Sequence, residues 1–175
     1  MNMHWSESFN TEPQQEELKR RFNYEAWGQP DPAEEQAPLR SVSLSGIGSP
    51  DWSAARIQRM TAKDFPPYER TMWQSSTAGT EVLIRVDLYE CDSVQAAREF
   101  LLRVLGEFES NKVERREGFV GDVAFSYTGE TMVLFSRSNV VVWLRNAGPK
   151  VISVTFMAQR IDAHLLSLLK LGQGD

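Results

Sequence analysis

Strict alternation marks the stretch Glu81 to Glu90, where Val82, Ile84, Val86 and Leu88 fall on one side and Leu83, Arg85, Asp87 and Tyr89 on the other. Side chains in a strand point alternately to opposite faces, so this period of two predicts a strand with one face in the core. The period then changes. In DSVQAAREFLLRVLGEFE, Val94, Ala97, Leu101, Val104, Leu105 and Phe108 recur at three- and four-residue spacing. That stripe predicts an amphipathic helix, with Asp92 as N-cap and Gln95 three residues on in a capping-box arrangement.

Beyond residue 117 the pattern returns to short apolar runs cut by turn residues. DVAFSY, TMVLFSR, VVVWLR and KVISVTFMA are separated by Thr128-Gly129, Ser138-Asn139 and Asn146-Ala147-Gly148-Pro149. Such brief connections join antiparallel neighbours, so a four-strand meander is expected. A closing helix from about residue 159 to 169 carries Ile161, Leu165, Leu168 and Leu169 on one side. Upstream, LRSVSLSGI reads as a half-buried strand and YERTMWQSS as another. Ser49-Pro50-Asp51 reads as the cap of a helix reaching about Lys63, closed by Pro66-Pro67. The expected fold is α+β, an antiparallel sheet with its helices packed on one face.

Residues 1 to 38 read differently from the remainder. They hold four of the eight prolines, and three basic residues against eight acidic ones, which accounts for the whole net charge of −5. They are expected to form an acidic extension, dispensable for folding, with 39 to 175 as a single domain. Within it, Glu16 to Phe22 has the makings of a short helix that needs Leu18 and Phe22 docked on the body to persist. The electroneutral body offers no broad basic face, which argues against generic nucleic-acid binding. No basic-apolar leader and no membrane-length apolar window are present, so the chain reads as soluble: cytoplasmic, or a mature extracytoplasmic chain whose leader has been removed.

The inventory for chemistry is thin. Cys91 is the only cysteine, and His4 and His164 are the only histidines. A Cys91–His164 nucleophilic pair lacks any orienting residue or oxyanion motif. No two-histidine or cysteine-rich metal site can be assembled, and Gly46-x-Gly48 lacks the third glycine or lysine of a phosphate loop. Asp122, following Gly121, is the residue most easily taken for a catalytic acid. A carboxylate at a strand start more often bonds nearby backbone N–H groups, and that is the expectation here. No catalytic residue, metal ligand or cofactor site is therefore assigned.

The order of strand, helix, Gly121-Asp122-Val123-Ala124 and Arg137-Ser138-Asn139-Val140 resembles a pattern in bacterial and archaeal domains, often in lipoproteins, over roughly residues 80 to 170. There a Gly-Asp-x-Ala step precedes a hairpin close to Arg-x-Asn-Val-x-Val; Ser138 stands where glycine is more usual. The resemblance implies an α+β sandwich similar to the PsbP/Mog1 group, whose members mostly bind partners, and it carries over no catalytic residue.

Together these readings favour a non-enzymatic protein-interaction domain of bacterial type, adaptor- or immunity-like; the alternative is a small-molecule or lipid carrier with a pocket between helices and sheet. The face bearing Arg85, Asp87 and Tyr89 mixes apolar, charged and aromatic groups as a contact surface does. Among five tryptophans, Trp143 reads as core, whereas Trp5, Trp27, Trp52 and Trp73 either staple segments to the body or anchor a partner. Trp52 and Trp73, flanking loops, join Arg85, Asp87 and Tyr89 as expected partner-binding residues. The acidic extension is expected to steer a basic partner.

Overall fold

The computed structural model describes residues 12–30, 37–77, 79, 81–108 and 112–172. Seven strands form one antiparallel sheet: β1 (Trp52–Met60), β2 (Tyr68–Ser75), β3 (Leu83–Glu90), β4 (Val113–Arg115), β5 (Val123–Tyr127), β6 (Met132–Arg137) and β7 (Val140–Asn146). Their order across the sheet is β1-β2-β3-β7-β6-β5-β4. Two meanders are thus joined edge to edge by the pairing of β3 with β7, in register Asp87 to Trp143. Among the described residues three helices accompany the sheet: α1 (Glu12–Arg21), α2 (Val94–Gly106) and α3 (Thr155–Gly172).

The mixed α+β class and the antiparallel sheet are as expected, but the sheet is larger than a four-strand meander and its helices do not share a face. The side chains of α3 pack with Ile84, Val86, Leu88, Val142 and Phe135 in one cluster. Those of α2 pack with Tyr89, Trp143, Leu134 and Phe125 in another, on the opposite side. Strands β6 and β7 lie between the two, and MVLF and VVVWL are continuous apolar runs because both of their faces are covered.

Three local expectations are also corrected. Residues 52–60 are the edge strand β1 rather than a helix: both faces there are half open, which leaves no alternation to read. LRSVSLSGI is an irregular strap with a 3₁₀ turn at Ser45–Ile47, and it crosses the α3 face. Its backbone N–H groups are satisfied by side chains, Leu44 by Glu69 at 2.8 Å and Ser41 and Val42 by Glu90 at 3.0 and 3.2 Å. Residues 151–154 form no strand: Asn146 holds Ile152 through bonds of 2.7 and 3.0 Å, and α3 begins at Thr155. The N-cap of α2 is Ser93, bonded to the Ala96 N–H at 3.0 Å, not Asp92.

The segment 12–30 is seated on the α2 face. Phe22 and Trp27 are buried there against Phe125, with ring centroids 5.7 and 5.6 Å away. Trp27 Nε1 donates to the Phe22 carbonyl at 3.0 Å, and Leu18 packs beside them. Trp27 is therefore a staple. His4 and Trp5 lie outside the described residues, as does the middle of the linker. No described helix is long and apolar enough to cross a membrane.

Candidate functional site

Antiparallel register places directly opposed residues on the same face, so the α2 side of the sheet can be read row by row. One row runs Met60, Tyr68, Tyr89, Val141, Ser136 and Val123. Helix α2 covers it, with the Phe100 ring 4.7 Å from that of Tyr89. The next row runs Gln58, Arg70, Asp87, Trp143 and Leu134; the one beyond it runs Arg56, Met72, Arg85, Arg145 and Met132. The described helices do not reach the β1–β3 end of these two rows. Arg56 is exposed, and Gln58, Arg70, Met72, Arg85 and Arg145 are half-buried, whereas on the reverse of the same strands Thr71, Trp73, Ile84 and Val86 are buried.

At the centre of this open quarter sits Asp87, whose side chain is 0% exposed. Arg70 reaches it through Nε at 2.7 Å and Nη2 at 3.2 Å, Arg85 through Nε at 3.2 Å and Arg145 through Nη2 at 3.0 Å. Burial pushes the Asp87 pKa above its ordinary value, against the pull of the Arg70 and Arg145 guanidiniums. Two of the arginines are braced by rings. Arg145 lies 3.7 Å over the Trp143 ring and Arg70 5.4 Å from that of Tyr68. The arginine side chains keep 22 to 29% of their surface in solvent. One carboxylate cannot neutralise three guanidiniums, and Arg56 beside them has no ion pair among the described residues. Among the described residues the patch therefore carries a local surplus of three positive charges, on a chain whose net charge is −5.

The structure brings together only two of the five residues expected to contact a partner. Arg85 presents on the open quarter, and Asp87 lies beneath it as the group that fixes the arginines. Tyr89 is on the same face but under α2, so its ring has no surface to offer. Trp73 is fully buried on the α3 side, with Nε1 donating to Thr71 at 2.8 Å. Trp52 stacks on Phe156 of α3, centroids 4.9 Å apart, also on that side. Arg56, Arg70, Met72 and Arg145 were not anticipated. A signal existed, a charged residue at the same alternation in YERTMW, LIRVDLY and VVVWLR, but register is needed to align it.

Asp122 has the structural role expected. Its Oδ2 accepts from the Ser138 N–H at 2.7 Å and its Oδ1 from Arg137 Nη1 at 2.8 Å. Ser138 opens the β6–β7 turn at φ 52°, a left-handed conformation that the carboxylate steadies in a residue other than glycine. Gly121 has φ 65°, and a Cβ there would sit 2.4 Å from the Ser136 carbonyl, so the Gly-Asp step is hairpin architecture. Arg137 is also gripped by Asp162 of α3 at 2.8 and 2.9 Å.

Cys91 is buried on the α2 side, where burial pushes its thiol up to about 12. His164 is on α3 and faces the Ser43 carbonyl at 3.1 Å, so the two belong to opposite faces of the sheet. Among the described residues no three His, Cys, Asp or Glu side chains are grouped to hold a metal ion. A depression of about 440 Å³ beside α1 and β4 is walled by Phe22 and Phe125 but also by Arg21, Arg115 and Glu117. No family model, curated protein or solved structure matches the chain.

Proposed function

We propose that this chain is a non-enzymatic interaction domain that binds another protein through the open quarter of the sheet formed by β1, β2, β3 and the end of β7. The observation that carries the reading is the contrast within one face. Where α1 and α2 lie, the sheet is apolar and closed; beside them it carries rigidly held arginines together with Met72 and Leu83, all part-exposed. Arginine with apolar neighbours is the composition of contact surfaces, and arginines already fixed by Asp87, Trp143 and Tyr68 lose little freedom on binding. The resemblance to partner-binding domains of the PsbP/Mog1 group points the same way. A carrier would need an enclosed apolar chamber, and the depression by α1 has charged walls.

Affinity capture from native-host extract compares the full chain with a Met72→Trp variant, which fills the open quarter without altering its charge. Proteins retained by the first and lost by the second support the reading. Retention of the same proteins by both baits at equal yield would remove the face from the interaction.

A further inference from the structure

We infer that the open arginine quarter is built to receive an acidic segment of its protein partner, docked by paired contacts between that segment's carboxylates and Arg56, Arg85 and Arg145. This deepens the interaction reading and rests on it. Three features support it. The first is charge: with Asp87 already shared among Arg70, Arg85 and Arg145, and Arg56 meeting the Gln58 amide but no carboxylate among the described residues, the described surface is positive although the chain is acidic. A basic partner, which the acidic amino-terminal composition alone would suggest, would meet like charge at this surface.

The second is donor geometry. Asp87 takes Nε and Nη2 of Arg70 and Arg85 but only Nη2 of Arg145. The Nη1 groups of Arg85 and Arg145 donate to no described residue, whereas Arg70 has Tyr68 as a second side-chain partner. A guanidinium bound on one edge and open on the other presents parallel N–H groups to a second carboxylate. Asp87 thereby orients the arginines and does not itself meet the partner.

The third is extent. The four strands, spaced about 4.8 Å apart, give a patch about 15 Å wide, the length of four or five extended residues. That suits a short peptide segment. A nucleic acid is favoured by a basic stripe along a whole surface, and here the positive groups are confined among Met72, Leu83 and the glutamines Gln58 and Gln74.

The test is an amide and arginine-Nε NMR titration of the full chain with a capped peptide of alternating Glu and Thr, its Gln-for-Glu counterpart, and a thymidine oligonucleotide of matching charge. The expected result is saturable shifts confined to β1, β2, β3 and the Arg145 end of β7 with the Glu peptide only, weakening as salt is raised. Arg56→Gln, which leaves the Asp87 contacts intact, should raise its dissociation constant about two- to fivefold, the worth of one partly exposed ion pair. Equal shifts with the Gln peptide would overturn carboxylate recognition while leaving protein binding through this face standing. Stronger shifts with the oligonucleotide would overturn both. Absence of shifts on the patch with the Glu peptide at millimolar concentration would overturn the inference alone.

Discussion

Replacing Asp87 by Asn removes one oxygen and one charge from the centre of the arginine cluster and almost nothing from its volume. Asn retains a single carbonyl acceptor where Asp87 receives Arg70, Arg85 and Arg145 at 2.7 to 3.2 Å, and its amide turns donors toward donors. Whether the intact cluster stabilises the fold is a separate question, since burying the carboxylate carries a desolvation cost that offsets the ion pairs. Breaking the cluster is costly in either case, because three guanidiniums lose their only shared counter-charge. Removing one member of a buried ion cluster costs about 3–5 kcal/mol; the arginines can rehydrate through their exposed edges, so about 3 kcal/mol is expected. On a chain of this size that is a fall in midpoint of about 6–12 °C. Urea unfolding of the full chain, followed by tryptophan fluorescence, measures the free-energy loss, and thermal unfolding the midpoint. Asp122→Asn is the comparison: its carboxylate is 21% exposed and Arg137 keeps Asp162, so about 1 kcal/mol is expected. An Asp87→Asn loss no larger than that of Asp122→Asn would refute the idea that Asp87 organises the cluster.

Other outcomes follow from the same contacts. Trp27→Ala should cost about 3–5 kcal/mol in urea unfolding, as loss of a buried tryptophan does, and a chain starting at Pro38 should unfold at lower urea than the full chain because it also lacks Phe22. Cys91, buried with its thiol pushed up to about 12, should react with a thiol reagent at mildly alkaline pH only after urea is added; rapid labelling of the folded chain would contradict its burial. Glu130, held below its ordinary 4.5 by its bonds to Thr155 and Arg116, titrates lower folded than unfolded. The stability it lends is therefore present above about pH 4.5 and is lost as pH falls through the folded value, a loss that Glu130→Gln should abolish.

What could be read from the sequence was whatever a single element reports about itself. The stripe on Val82, Ile84, Val86 and Leu88 was legible because one side is wholly core, and so was α2, whose buried residues repeat at helical spacing. Edge strand β1 was not, because Pro50-Asp51 imitates a helix cap and its open faces leave no period. The strap at 39–47 alternates like a strand, yet the backbone partners that decide its state are Glu69 and Glu90, distant in sequence. The same limit governed the site. Arg85 and Asp87 could be placed on a mixed face from their own strand, but Arg56, Arg70 and Arg145 join them only through the register of four strands. The burial of Tyr89 under Phe100 and of Trp73 in the opposite core is a tertiary fact that neither strand reports about itself.

Site-specific photo-cross-linking in the native host tests the central claim most directly. A benzophenone amino acid at Met72, in the middle of the open quarter, is compared with the same group at Ala163, exposed on α3 across the sheet. The expected result is a discrete cross-linked protein from position 72 and none from 163, diminished by the added substitution Arg145→Gln. Cross-linking from 163 with none from 72 would contradict it, since the contact surface would then lie on the other side of the molecule.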